Sequence, residues 1–425
     1  MKHQPIPARR TWVELEAARP NEFAHLRVAL VHYWLVSMRG GEKVLEALCE
    51  LFPQADIFTL VCDEETLSER LRQHRITTSF LQKLPGARRL YQKFLPAMPW
   101  ALESFDLSGY DVVISSESGP AKGIVAPPDA LHICYCHSPM RYLWDQQHVY
   151  QVSAGRLSRW AMACVAPAMR TWDVTTAARV DSFVANSRHV ADRIQKYYRR
   201  DAEVIHPPVA VESFAPTSEV GDFYLCAGQL VPYKRIDLAV QAFTRMNKKL
   251  VVVGDGAEID ALRKVAGPSI VFMGRQSDDV LRQHLSRCRA LIFPGEEDFG
   301  MVPVEALASG RPVIGYARGG LMETVASETF GVLFGEQSVE ALMAAVARFE
   351  KRETDFDPTI LRAWAQRFGR DEFKNRFAGK VRRELAARAE RSSTLSGDAF
   401  APIVSRLAEP RERSAWDSLE HEAVS

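Results

Sequence analysis

Short runs of aliphatic and β-branched residues alternate with helical periodicity along nearly the whole chain, and that alternation limits the fold more than any other feature. A strand-length run that is apolar at every position needs cover on both faces, which a parallel sheet flanked by helices provides. In the first half the runs are Arg27–Val31, Ala55–Thr59, Asp111–Ser115, Leu131–Tyr135 and Ser182–Ala185, separated by helical stretches such as Glu42–Leu51 and Arg188–Tyr198. The proline pair within Ile205–Val209 then stops regular structure, because proline lacks an N–H and restricts the residue before it. The alternation restarts with strands at Phe223–Ala227, Leu250–Val253, Ile270–Phe272, Ala290–Phe293 and Pro312–Ile314. Helices are expected near Ile236–Met246, Glu258–Val265, Asp279–Ser286 and Pro303–Ser309.

The expected fold class is therefore α/β, with two doubly wound, Rossmann-like domains facing each other across a cleft. A length of 425 residues suits two domains better than one core. The expected layout is an N-terminal extension (1–26), a first α/β domain (27–207), a linker (208–220) and a second α/β domain (221–357). A helical segment (358–390) follows, whose Leu361, Trp364, Phe368, Phe373 and Phe377 cover the first domain, the second, or both. After Arg391 periodicity is lost, and 391–425 reads as a loose tail.

Hydrophobic residues at 47% and charged residues at 25% fit a globular protein. A formal net charge of only +1 gives no field suited to nucleic acid. No apolar run reaches the ~20 residues of a membrane-spanning helix, and the start of the chain lacks the apolar stretch of a signal peptide, so a cytoplasmic protein is expected. Seven cysteines, an odd number without a regular framework, fit reduced thiols. Cys134, Cys136 and His137 lie close together, but no second ligand pair follows at zinc-site spacing and no Asp-x-Asp triplet ends a strand, so no metal is expected.

The most informative segment is Phe293–Gly310, in which a strand ends, a loop follows, and Pro303 falls at the first turn of a helix. Ligands of open α/β sheets bind beyond the carboxyl ends of strands. Gly300 permits close backbone approach there, and the amides of Met301 and Val302 at a helix start suit a diphosphate. Glu297 and Glu305 bracket the turn with seven residues between them, and carboxylates accept hydrogen bonds from vicinal hydroxyls in pairs. The plain alternative is that Glu305 only favours the helix N-terminus and Glu297 is solvated.

This segment resembles the glutamate–seven–glutamate motif of family 4 retaining glycosyltransferases, which have the GT-B fold. The resemblance implies that Glu297 contacts the donor sugar and that Glu305 binds the ribose, with Phe299, Gly300, Met301 and Val302 belonging to the donor site. A second stretch, Ala227–Val240, resembles the one that supplies cations to the donor diphosphate. Lys234 matches the family lysine; the usual arginine after the glycine is Gln229 here, and Arg235 stands as a replacement. A solvated helix start is the alternative for the Lys-Arg pair. Gly274 and Arg275 sit where the family reads the base. Gly254-Asp-Gly256 lacks the third glycine of a dinucleotide fingerprint, which argues against an oxidoreductase.

In the first half, Gly40 and Gly41 open a helix after the first strand, where the family's glycine loop meets the donor phosphates; a tight strand-to-helix turn is the alternative. His137, at a strand end, corresponds to the family histidine at the reaction centre. The run Ser138–Trp144 resembles a bacterial subgroup containing O-antigen mannosyltransferases, and this alone favours GDP-mannose. Tyr91, Lys93, Phe94 and Trp100, then Arg156, Arg159, Trp160, Arg170 and Trp172, mix cations with aromatics on expected helices. Such faces suit the inner surface of an anionic membrane, and ordinary amphipathicity also explains them. The resemblance implies a nucleotide-sugar donor as co-substrate, no separate cofactor, and a glycan or polyprenyl-linked acceptor in surface polysaccharide synthesis. Rival readings are a sugar-nucleotide epimerase or hydrolase of the same fold and a non-catalytic nucleotide-sugar-binding subunit.

Overall fold

The structure, a computed structural model, describes residues 22–145 and 156–395, with side chains described except at 156–163 and 392–395. The first-half strands are β1 Val28–His32, β2 Asp56–Thr59, β3 Ile76–Thr78, β4 Val112–Glu117, β5 Leu131–Cys136, β6 Ser182–Ala185 and β7 Ala202–Val204. They form one parallel sheet in the order β3-β2-β1-β4-β5-β6-β7. β1, β4 and β5 are buried at every position, which covers their aliphatic residues on both faces and also encloses the polar His32, Ser115, Ser116, Glu117 and His132. The chain runs outward through β2 and β3 and then returns to β4, so strand order reverses between β1 and β4. β4 ends two residues later than expected, and the extension sets Ser116 opposite His32 and Glu117 opposite Cys136.

The second half repeats the plan with β8 Tyr224–Ala227, β9 Leu250–Val253, β10 Ile270–Gly274, β11 Leu291–Phe293, β12 Val313–Tyr316 and β13 Gly331–Phe334. The parallel order is β10-β9-β8-β11-β12-β13, with the reversal between β8 and β11. Strands β3, β7 and β13 are absent from the expected set. Each ends a sheet and is three or four residues long; β3 and β7 carry little apolar sequence, and β13, though mostly buried, is a run of only four residues.

The helices that position the site are α1 Gly40–Leu51, α2 Arg156–Ala177, α3 Arg188–Tyr198, α4 Ile236–Met246, α5 Asp278–Arg287, α6 Met301–Ala308 and α7 Leu321–Thr324. Val339–Glu350 (α8) covers the second sheet, with Leu342, Ala345, Val346 and Phe349 fully buried. The segment expected to be helical over 358–390 consists of two helices, α9 Pro358–Ala365 and α10 Arg370–Leu395, separated at Gly369. Leu361 and Phe368 join the second core, whereas Phe373, Phe377 and Val381 pack under the first sheet, so the chain crosses back. The loose tail is corrected at its start, since 391–395 continue α10; residues 396–425 lie outside the described residues, as do 1–21 of the N-terminal extension. Where the chain crosses over, Val209 bridges Gly369, and its N–H donates to the Phe368 carbonyl at 2.9 Å.

Candidate active site

Both strand-order reversals send loops from carboxyl strand ends toward the same crevice. On the first side, β1 leads to Arg39 and α1, whose Glu42 carboxylate accepts from the Arg39 amide at 2.9 Å and caps the helix start. A methyl group on Gly41 would lie 3.6 Å from His137 Nε2 and 3.2 Å from the Tyr33 hydroxyl. One on Gly40 would lie 3.2 Å from Met301 Sδ. The glycine turn of the first domain therefore touches both the histidine after β5 and the helix start after β11. Lys43, one turn into α1, reaches Glu305 Oε1 at 3.8 Å.

On the second side, Gly300 has φ +83°, a left-handed conformation in which a side chain would also meet the Phe293 ring at 3.1 Å. It turns the chain sharply into α6, so that the Met301 and Val302 amides are first-turn donors without intrahelical acceptors. Lys234 follows β8 and folds back over Gly228, where any Cβ would stand 2.9 Å from its ammonium nitrogen. Its Nζ lies 2.7 Å from Glu297 Oε1. Alignment is poor enough that this buried oxygen still lacks a formed hydrogen bond. Burial opposes the charge of Lys234, but Glu297 and then Tyr233 outweigh it and raise its pKa overall. Burial likewise raises the Glu305 carboxyl, with Lys43 acting against it.

His137 is half-buried and shares a 2.9 Å hydrogen bond with Ser116 Oγ through Nε2. Burial holds its pKa down at about 4, so it is neutral at pH 7. His32, fully buried at the end of β1, is pushed lower, to about 3, by burial and then by His137. The Ser116 carbonyl stands near enough to favour its proton weakly, yet neither ring nitrogen forms a full hydrogen bond.

Two side chains that motif reasoning passes over join the halves. Arg193 on α3 donates to Asp298 Oδ1 at 2.6 Å, to Ser138 Oγ at 2.9 Å and to Asp145 Oδ1 at 2.5 Å. Arg141 reaches Asp298 Oδ2 at 3.5 Å and lies over the Tyr233 ring, 5.4 Å from its centroid. Ser187 donates to the Asp298 carbonyl. Asp298 thus ties the loop carrying Glu297 to the loop carrying His137. Behind that loop, Lys122 is buried between Glu117 and Asp173, and Trp144 Nε1 donates to Asp173 at 2.8 Å.

Gly40, Gly41, His137, Lys234, Glu297, Gly300, Met301, Val302 and Glu305 are therefore linked through one crevice. Four expected donor-site residues stand otherwise. The Phe299 ring is corrected to a packing role: it is 3% exposed and packs on His206 and Phe368 at the crossover, leaving only its backbone to the loop. Arg235, in a left-handed conformation, directs its guanidinium back onto both Asp237 oxygens at 3.1 Å. Gly274 and the exposed Arg275 end β10, with open space beside Gly274. Cys134 and Cys136 are buried free thiols, and among the described residues no cluster of metal-ligating side chains occurs.

Comparison with known proteins agrees with this architecture. Residues 38–213 match the family described as Glycosyltransferase Family 4, and residues 213–366 match Glycosyl transferases group 1. The chain belongs to the family 4 glycosyltransferases, with the two-domain GT-B fold. A D-inositol 3-phosphate glycosyltransferase of Mycobacteroides abscessus is 27% identical over 199 residues, 41% of this chain and 45% of that protein. A GDP-mannose-dependent alpha-(1-6)-phosphatidylinositol monomannoside mannosyltransferase of Mycobacterium tuberculosis is 31% identical over 141 residues, 29% of this chain and 37% of that protein. The chain thus spans less than half the length of these two relatives. Sucrose-phosphate synthase from Thermosynechococcus elongatus superposes with a TM-score of 0.65 at 18% identity, covering 85% of this chain and 100% of that one.

Proposed function

We propose that the protein is a retaining glycosyltransferase that moves a hexosyl group from a nucleotide sugar to a glycan or lipid-linked acceptor, with mannose from GDP-mannose as the first candidate. What carries the reading is the convergence of the glycine turn at Gly40–Gly41, the neutral His137, the α6 amides and the Lys234–Glu297 pair on one crevice. The diphosphate takes the α6 amides and Lys234, and the sugar hydroxyls take Glu297, so the donor replaces an ion pair by two ligand contacts. Glu305 receives the ribose hydroxyls.

The acceptor hydroxyl attacks the anomeric carbon on the face from which the diphosphate leaves. The new glycosidic C–O bond forms as the anomeric C–O bond to phosphate breaks, and a departing phosphate oxygen takes the acceptor proton. Negative charge grows on the leaving group, and Lys234 with the amides stabilises it more in the transition state than before. Nothing in this step calls on a metal ion, and turnover is expected to be unchanged by EDTA.

Mannose is supported by the run Ser138–Trp144 and by the name of the M. tuberculosis relative. A thermal-shift series with GDP, UDP and their sugars identifies the base. Glu297→Ala is expected to abolish transfer while GDP or UDP still binds; transfer persisting in that variant rejects the role given to Glu297. Donor consumed without acceptor would point instead to an epimerase or hydrolase.

A further inference from the structure

From the reaction crevice a file of aromatic rings leads outward across the first domain. The His32 and Tyr33 rings lie 4.4 Å apart, Tyr33 and Trp34 meet edge to face at 4.5 Å, and Trp34 meets Tyr91 at 4.8 Å. Tyr33 is buried, with its hydroxyl against Gly41, but Trp34 and Tyr91 are only half-buried. The chain just beyond Trp34 is held firmly. Leu35 bridges Cys62, its N–H donates to the Val61 carbonyl at 2.8 Å, and its carbonyl accepts from the Asp63 amide at 2.7 Å. A large indole is thus fixed in place with part of its surface uncovered, one ring beyond the tyrosine that shares Gly41 with His137.

We propose that Trp34 and Tyr91 form an acceptor subsite for the ring of a saccharide, so that the acceptor class is a glycan end. This rests on the transferase reading and narrows its acceptor. Carbohydrate C–H groups carry slight positive charge and pack on the negative face of an aromatic ring, while hydroxyls around the rim stay solvated. A half-buried tryptophan–tyrosine pair offers that surface and loses little side-chain entropy on binding, since packing already holds both rings. A phosphorylated polyol would draw instead on cationic donors such as Arg88, Arg89 and Lys93, which neighbour Tyr91 in sequence, and is therefore the competing ligand in the test.

The test uses the full chain loaded with whichever of GDP or UDP raises its melting temperature. Saturation-transfer NMR is then run with methyl glycosides of mannose, glucose, galactose, rhamnose and N-acetylglucosamine, and with myo-inositol 1-phosphate. At least one glycoside is expected to receive transfer at its ring C–H protons. Trp34→Ala and Tyr91→Ala are each expected to weaken it roughly tenfold, with Trp34→Phe keeping most of the affinity and the nucleotide shift unaltered. The nucleotide shift also reports whether each variant is folded. Glycoside binding that survives both alanine variants overturns the subsite, as does a nucleotide-loaded protein that binds only the inositol phosphate or no glycoside. A protein that holds glycosides through Trp34 but takes no nucleotide would keep the subsite and remove the transferase reading.

Discussion

The first domain holds three histidines, two buried and one half-buried, whose neutral state is enforced by their surroundings. His32 is held at about 3 and His132 and His137 at about 4, each chiefly by burial. A folded pKa below the unfolded value of 6.5 means that unfolding takes up a proton once the pH drops below 6.5. Their contribution is therefore complete above pH 6.5 and is lost as the pH falls toward 4. Glu117 works the other way, because burial pushes it up to about 7 and its contribution fades as pH rises from its unfolded value through 7. His132, at 1% exposure and hydrogen-bonded through Nε2 to Ser115 at 2.9 Å, gives the cleanest test. His132→Gln is expected to remove close to one proton from the linkage, flattening the stability slope by about 1.4 kcal/mol per pH unit between pH 6 and 5. Urea unfolding at several pH values measures this, and an unchanged slope refutes it. The residue scale also marks where sequence reading ends. Glu297 and Glu305 are legible because a fixed spacing, a glycine and a proline surround them. Arg193 is not, since one arginine within an amphipathic helix looks like any solvated residue until Asp298, far along the chain, is seen beside it.

Elements were easier to read where burial forces the sequence. β4 opens on Val112-Val-Ile114 and β5 is mostly apolar because both faces are covered, whereas the short end strands β3 and β7 are only half-buried and carry no such run. The end of the second domain was legible as helix, but not as two helices serving two cores, because periodicity records an apolar face and not its partner. The stretch from Tyr91 to Glu103 forms a tight 3-10 turn followed by a short helix, and it leaves Trp100 69% exposed. Phe80, Leu84 and Leu90 are exposed nearby in sequence, and no acidic residue occurs between Glu69 and Glu103. Asp63 still pairs with Arg88, so part of this charge is answered within the protein. No helix among the described residues is long and apolar enough to cross a membrane. The proposal of a lipid-linked acceptor makes this element the candidate for contact with a bilayer. Trp100→Ala with Lys93→Ala is then expected to lower co-sedimentation with anionic liposomes severalfold while nucleotide binding is kept. Equal sedimentation removes the membrane contact and leaves the transfer chemistry untouched.

At the scale of the whole molecule, the two sheets communicate at two places of different character. At the crossover, backbone pairing of Val209 with Gly369 and the rings of His206, Phe299 and Phe368 form a packed joint. Glu323 braces it, accepting from His206 Nε2 at 2.9 Å and from the Arg188 amide at 2.8 Å. Across the crevice the contact is ionic: Arg193 and Arg141 of the first half hold Asp298 of the second. The crossover includes backbone pairing, whereas the grip on the Asp298 carboxylate is made by arginine side chains. Arg193 is nearly buried and makes the shorter contacts to Asp145 and Asp298, so removing it leaves the two carboxylates only the longer contacts of Arg141 at 3.7 and 3.5 Å. Arg193→Ala is therefore expected to open the crevice and to separate Glu297 from His137, raising the radius of gyration in small-angle scattering. Transfer should fall at least tenfold, because the proposed reaction centre draws on both halves and depends on their relative position. Binding of the nucleoside diphosphate, which the proposal places chiefly on Lys234 and the α6 amides, should change much less. A variant that stays equally compact and equally active would show that the packed joint alone sets the closed geometry and that the grip on Asp298 is incidental.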